Sequence, residues 1–265
     1  MTNQDSTNSA IHKALAVLET ITQDLRPLGI VDIAHELNLP RQTVHRVVRQ
    51  LEDLGLLQRD ATRERYYAGE RLRTLALNTI SSALTTRGTH AILEKLVAEI
   101  KETCNVGMLD GQQIIYVDRA ECDWPLRVQL KAGSHVPVHC TAIGKLLLAH
   151  LEHDQRQLIL QSASLRKFTK FTLTEPELLE AQFDQIVAQG YSINNQEDSI
   201  GLVALAVPVR DPGGEIVAGL GVHAPVPRYS IDNAIDDLPK LHDAAARIGE
   251  AMFANHQMPL SKIET

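Results

Sequence analysis

Residues 40–55, PRQTVHRVVRQLEDLG, constrain the 265-residue chain more tightly than any other stretch. Val44, Val47, Val48 and Leu51 recur at i, i+3, i+4 and i+7, which lays one apolar stripe along an α-helix. Arg41, Gln42, His45, Arg46 and Arg49 then fall on the opposite face, and acid enters only at Glu52 and Asp53. Gly55 is expected to stop the helix. Arginine forks reach phosphate or the guanine edge, and glutamine pairs with adenine, so this face has the chemistry of a DNA-reading helix. An ordinary surface helix with a solvated polar face carries the same local pattern, so the neighbouring segments decide between the two.

Upstream, residues 29–39 predict a short helix with Ile30, Ile33, Ala34 and Leu37 inward, closed by a turn at Asn38-Leu39-Pro40. Two short helices joined by such a turn make a helix-turn-helix. Downstream, the apolar-rich runs 56–59 and 66–68 flank 60–65, which predicts a β-hairpin with arginines at its tip: a wing. Helix, turn, cationic helix and wing in that order point to double-stranded DNA. Arg41, Gln42, Thr43, His45 and Arg46 are expected to face the major groove. Arg49 should lie nearer the backbone, with Arg63 and Arg65 of the wing on phosphate or minor groove.

The net charge of −7 makes any DNA contact local, and the arginines at 41, 46, 49, 59, 63 and 65 supply that locality. With 44% hydrophobic but only 4% aromatic residues, the cores must be largely aliphatic. Cys104, Cys122 and Cys140 lie far apart with no CxxC spacing, so neither a zinc site nor a disulfide scaffold is indicated, and no cofactor loop is found. No apolar stretch approaches the ~20 residues that span a bilayer, and the polar N-terminus lacks a signal-peptide pattern. The expectation is a soluble, cytoplasmic protein with no membrane partner.

In chain order, residues 1–8 are expected to be disordered. Ser9 should cap a first helix with Ile11, Ala14, Leu15, Leu18 and Ile21 buried, ended by Pro27. Residues 70–86 read as a linker helix whose Leu72, Leu75 and Ala76 face either a domain core or a partner helix in a dimer. Beyond Cys104 come strands at 106–109, 113–118 and 126–130, a loop over 131–140, and an apolar helix at 141–151. Helices at 154–161 and 175–189, strands at 191–195, 203–209 and 216–223, and a last helix at 231–254 follow. Hairpin-linked strands with interspersed helices predict an α+β chain with an antiparallel sheet. The domains expected are 1–69 (winged helix-turn-helix), 70–86 (linker), 87–258 (C-terminal domain) and 259–265 (tail).

Three stretches, LPRQTVHRVVRQLEDLGLL, VPVHCTAIGKLLLA and GYSINNQEDSIGLVALAVPVRDPGGEIVAGLGV, resemble the IclR family of bacterial transcriptional regulators in order and spacing. The resemblance covers nearly the whole chain. It implies a linker helix joining the winged domain to a GAF-like α/β effector domain, and assembly as a homodimer or homotetramer on operator DNA. It also implies a small organic acid effector, commonly a carboxylate or aromatic acid. By the same resemblance the effector pocket falls on Val128, Val136, Ala142, Ile143, Asn194, Ala204, Gly221 and His223. Asn194 stands where the family often has Asp, and Gly221 and His223 where serines are frequent, so ligand identity does not transfer.

Residue chemistry agrees in part with that pocket. Ala142 and Ile143 sit in the first turn of a helix, where unpaired backbone N–H groups suit an anion. Val128, Val136 and Ala204 would supply apolar wall. The pocket then lacks Lys or Arg, which favours a monocarboxylate over a sugar phosphate, and the apolar walls favour an aromatic one. Its carboxylate would meet either the helix or a protonated His223. Arg127 should face away from Val128 on a regular strand. His139-Cys140 could be imagined as a catalytic pair, but adjacent residues of an extended segment point apart. The expectation is a regulator and not an enzyme, with an effectorless DNA-binding protein as the remaining alternative.

Overall fold

The computed structural model describes residues 9–24, 26–60, 62–76, 79, 88–126 and 130–253. The expected disordered N-terminus, the tail, most of the linker's second half and Val128 lie outside these. The chain divides into two compact units at residues 80 and 81.

In the first unit, α1 (Ala10–Gln23) starts where the Ser9 hydroxyl accepts from the His12 N–H at 3.2 Å. A two-residue strand β1 (Leu28–Gly29), helix α2 (Ile30–Glu36) and helix α3 (Arg41–Asp53) follow. Strands β2 (Leu57–Arg59) and β3 (Arg65–Ala68) form the hairpin, in a three-stranded antiparallel sheet ordered β1-β3-β2. The turn between α2 and α3 holds Asn38 at φ 49°, a left-handed conformation that asparagine tolerates better than most residues. Val44, Val47, Val48 and Leu51 of α3 pack with Val17, Ile33, Leu57 and Tyr66 into one aliphatic core. The third strand, β1, has too few residues to show a period and is legible only from its pairing with β3 at Leu28↔Tyr66. Residues 70–76 continue as helix.

In the second unit, α4 (Thr89–Ile100) leads into the hairpin β4 (Thr103–Asp110) and β5 (Gln113–Ala120). Then come β6 (His135–Pro137), α5 (Ala142–Ala149), α6 (His153–Ser162), α7 (Pro176–Gln189) and β7 (Ser192–Asn195). The hairpin β8 (Leu202–Arg210) and β9 (Ile216–Pro225) precedes α8 (Ile231–Asp236) and α9 (Leu238–Phe253). The six strands pair antiparallel in the order β6-β5-β4-β9-β8-β7. β9 is buried from Ala218 to Ala224, so both faces of the sheet are covered. α5 and α7 cover one face in a core with Ile114, Tyr116 and Ala206, and the α9 backbone at Gly249 lies against Arg210 of β8.

Three boundaries depart from expectation. The strand over 126–130 is absent at its two described ends, Leu126 and Leu130, which are not strand. The loop over 131–140 contains β6, whose three residues pair with β5 at Ile114↔Val136 and are too short for a period to reveal. The last helix is two helices broken at Asp237, because Pro239 fits the first turn of a new helix and lacks the N–H an uninterrupted one would need. The Asp237 carboxylate anchors the break by accepting from the Tyr229 hydroxyl at 2.9 Å and from Lys240 at 2.6 Å.

Candidate functional site

On α3, Arg41, Gln42, His45, Arg46 and Arg49 are exposed opposite the buried valines, and Thr43 is half-buried. Arg63 and Arg65 are exposed on the wing, Arg63 at φ 61° in its tip and Arg65 donating to the Pro27 carbonyl at 3.2 Å. Arg59, counted with the others for local charge, has a different task. It grips Glu52 with two hydrogen bonds of 2.8 and 3.0 Å and lies 5.0 Å over the Tyr66 ring. That contact ties the wing to the end of α3 and neutralises the first acid of the helix.

The second unit brings seven of the eight pocket residues to one small cavity of about 40 Å³: Val136, Ala142, Ile143, Asn194, Ala204, Gly221 and His223. Register explains the convergence. Asn194, Ala204 and His223 are paired across β7, β8 and β9, and Gly221 lies two residues from His223 on the same face. The α5 N-terminus closes the cavity: Thr141 is its N-cap, accepting from the Gly144 N–H, which leaves the Ala142 and Ile143 N–H groups without intrahelical partners. Gly221 contributes space, since a Cβ there would stand 3.1 Å from Ile143 Cγ1. A serine at 221 would require Ile143 to move.

Two of these side chains are engaged by groups of the chain itself. Asn194 is expected to reach a ligand, but its Oδ1 accepts from the Glu197 N–H at 2.8 Å and its Nδ2 donates to Asp198 Oδ1 at 2.6 Å. The side chain organises its own loop, and Asp198 stands on the cavity wall beside it. Burial pushes the Asp198 carboxyl above the usual carboxylate range. The folded chain by itself holds His223 neutral at neutral pH. Burial, reinforced by the Arg119 charge, pulls its pKa down to about 3. In the unfolded chain it would bind a proton below about pH 6.5, whereas the folded state resists until about pH 3. Stability attributable to His223 is therefore present above that window and falls as pH drops through it, by up to about 1.4 kcal/mol per unit. Thermal unfolding of His223→Gln is expected to show a flatter dependence than the parent there; equal slopes would contradict the burial of a neutral imidazole.

Pairwise chemistry missed at the sequence level lies in Asn105, Tyr116, Thr141 and Asp198, which also line the cavity. Asn105 and Tyr116 lie on strands β4 and β5 outside the three family-like stretches and are assembled by register, whereas Thr141 and Asp198 lie inside such stretches, beside Ala142 and Asn194. A larger groove of about 700 Å³ runs along His90, Glu94 and Lys101 to Trp124. It is more open and mixes Glu94, Glu121 and Asp123 with its cations, so the smaller cavity, with its convergent buried polar groups, is the better candidate. His139 Nε2 donates to the Arg166 carbonyl 3.0 Å away, and burial pushes the Cys140 thiol up to about 12. A thiol held protonated this way is a poor nucleophile. Among the described residues no cluster of His, Cys, Asp or Glu could hold a metal, and no helix is long and apolar enough to cross a membrane.

A helix-turn-helix with a wing, carried in the same chain as a separate α/β unit with a small cavity, defines a DNA-binding regulator with a second domain. Residues 10–61 match the IclR helix-turn-helix domain, and residues 77–250 match the family described as bacterial transcriptional regulator IclR C-terminal. The chain belongs to the IclR family of bacterial transcriptional regulators. It is 40% identical over 238 residues to a Cupriavidus necator protein named "Probable transcriptional regulator SauR", covering 90% of this chain and 94% of that one. An IclR homolog from Microbacterium hydrocarbonoxydans complexed with 4-hydroxybenzoate is 26% identical, with a TM-score of 0.59 over 93% of this chain and 100% of that chain. The inducer binding domain of a double mutant of the Acinetobacter PobR transcription factor, complexed with 3-hydroxybenzoic acid, is also 26% identical. Its TM-score is 0.56 over 60% of this chain and 94% of that one. These relatives are regulators and not enzymes.

Proposed function

We propose that this regulator reads operator DNA through the exposed face of α3 and the wing, and responds to a compact monocarboxylic acid in the cavity beneath α5. The observation that carries the effector reading is the meeting, on one cavity, of the first helical turn at Ala142 and Ile143, whose N–H groups have no intrahelical partners, with the unpartnered His223 Nε2. The acid oxygens satisfy donors that would otherwise be buried without partners. Asp198 on the same wall disfavours a second carboxylate and suits a ligand hydroxyl. A sugar phosphate would face that acid with no Lys or Arg among the described residues that line the cavity.

The family resemblance favours aromatic acids, and hydroxybenzoates occupy two related structures. The cavity of about 40 Å³ is far smaller than the roughly 150 Å³ of a cavity that takes benzene, so a benzene ring enters only if the walls part. Compact hydroxy acids therefore rank first and hydroxybenzoates second. Calorimetry on the full chain with glycolate, lactate, 3-hydroxybenzoate and 4-hydroxybenzoate distinguishes them. Ala142→Leu fills the cavity and is expected to lower affinity for whichever acid binds at least tenfold, with operator affinity retained. Binding of a sugar phosphate and of none of these acids would sink the reading.

Residues 70–76 carry Leu72, Leu75 and Ala76, and Leu75 is 51% exposed in the single chain. That exposed leucine supports a homodimer, alone or paired into a tetramer, on a palindromic operator.

A further inference from the structure

We propose that Arg119 and Asn105 are positioning residues that fix His223 as the Nε2–H tautomer, so that the cavity demands an acceptor oxygen at that end of the effector. The inference rests on the cavity being the effector site, and its first test needs no effector.

The proton positions follow from one group that cannot accept. A guanidinium carries only donors, and Arg119 Nη1 lies 2.6 Å from one terminus of the Asn105 amide, which must be the oxygen. The other terminus is then the NH₂, 2.8 Å from His223 Nδ1. Nδ1 must offer a lone pair, and a neutral imidazole so held carries its proton on Nε2. Both an Nδ1–H tautomer and an imidazolium would set two donors against each other. His223 is 7% exposed, and its Nε2 has no hydrogen-bond partner. A buried N–H without an acceptor is costly, and a ligand oxygen removes that cost.

The sheet builds this relay. Asn105 pairs with Gly221 on one side and Arg119 on the other, so all three project to the face that His223 also occupies. Because residue 221 is a glycine, no side chain stands between Asn105 and the cavity. Arg119 is itself held through its Nε, which donates to Glu121 Oε1 at 3.2 Å. The charged groups acting on His223 are Arg119, which opposes its protonation, Glu121, which favours it, and Asp198 across the same cavity. The relay places a fixed positive charge two hydrogen bonds behind a neutral donor, which polarises that donor toward an anionic oxygen.

Long-range ¹H–¹⁵N spectra of the full chain, labelled at histidine, read the tautomer directly. The chain has eleven histidines, so the His223 signals are identified by their loss in His223→Gln. The expected result is a single Nε2–H tautomer that does not change over about pH 5–8, where an ordinary histidine titrates. An Nδ1–H tautomer, or titration in that range, overturns the proposal without any variant. Arg119→Met frees the Asn105 amide to flip and should yield mixed tautomers, whereas Arg119→Lys should restore the single one. A single Nε2–H tautomer in folded Arg119→Met would show that Arg119 does not set it. For glycolate and 4-hydroxybenzoate, His223→Leu is expected to weaken binding at least tenfold and His223→Gln, which keeps an N–H, much less. Equal affinity of the parent and His223→Leu overturns the donor role. If neither acid binds, the comparison is made with whichever of lactate and 3-hydroxybenzoate does; if none of the four binds, the proposed function fails, and the tautomer alone decides the relay.

Discussion

Replacing Glu197 by leucine is expected to destabilise the C-terminal unit by about 3–5 kcal/mol, the usual cost of leaving one member of a buried ion pair alone. Lys145 is fully buried on α5, with its Nζ 2.5 Å from Glu197 Oε1. Burial pulls the lysine pKa down and pushes the glutamate pKa up, each opposed by attraction to its partner. Glu197 is also held by its backbone: Thr172 donates to its carbonyl at 2.6 Å, and its N–H donates to Asn194. The pair therefore clamps the 194–198 loop, with Asp198, to the helix whose N-terminus closes the cavity. Without Glu197, Lys145 gives up its proton in the folded state far more readily than in the unfolded chain. The unfolded state then binds more protons, so the variant's stability should rise with pH toward the ordinary lysine range. The double variant Lys145→Met/Glu197→Leu should recover most of the loss, since two apolar groups leave no charge unpaired. Trp124 is the single tryptophan and lies in this unit, so urea unfolding followed by its fluorescence reports on the right domain. A loss below about 1 kcal/mol in the single variant would mean that water or another group satisfies the lysine.

The second large effect concerns DNA. Arg46→Ala is expected to lower operator affinity by about 1–3 kcal/mol and to relax the preferred sequence, as loss of a base-reading arginine does. Arg46 is exposed on the face of α3 opposite Val44, Val47 and Val48, so the substitution leaves the core intact. Arg49→Ala should weaken binding to all sequences and reduce the salt slope by about 0.9. Arg59→Ala should behave differently again, loosening the wing through loss of Glu52 and Tyr66 while altering sequence preference little. The operator is found by selection from random duplexes, and fluorescence anisotropy across a salt series measures each variant. Unchanged affinity and salt dependence in Arg46→Ala would remove α3 from the interface.

Much of this architecture is legible in local sequence because local forces determine it. The α3 stripe depends on a period of 3.6, and the hairpins 103–120 and 202–225 depend on apolar runs flanking turn residues within a few positions of each other. The carried-over pocket positions came from resemblance, and residue chemistry alone supplied only the helix start at 142–143 and the apolar walls. Tertiary structure decided what those positions do. Asn194 turns inward to its own loop because Glu197 and Asp198 fold back upon it. His223 becomes a neutral donor because β4 sets Asn105 beside β9, and β5 sets Arg119 beside Asn105. Lys145 and Glu197, 52 positions apart, meet only when α5 packs on the sheet. The contacts among Arg119, Asn105 and His223 depend on strand register, and a shift of one residue would turn those side chains to the opposite face. No local pattern encodes that choice. It follows from how the whole sheet buries its two faces.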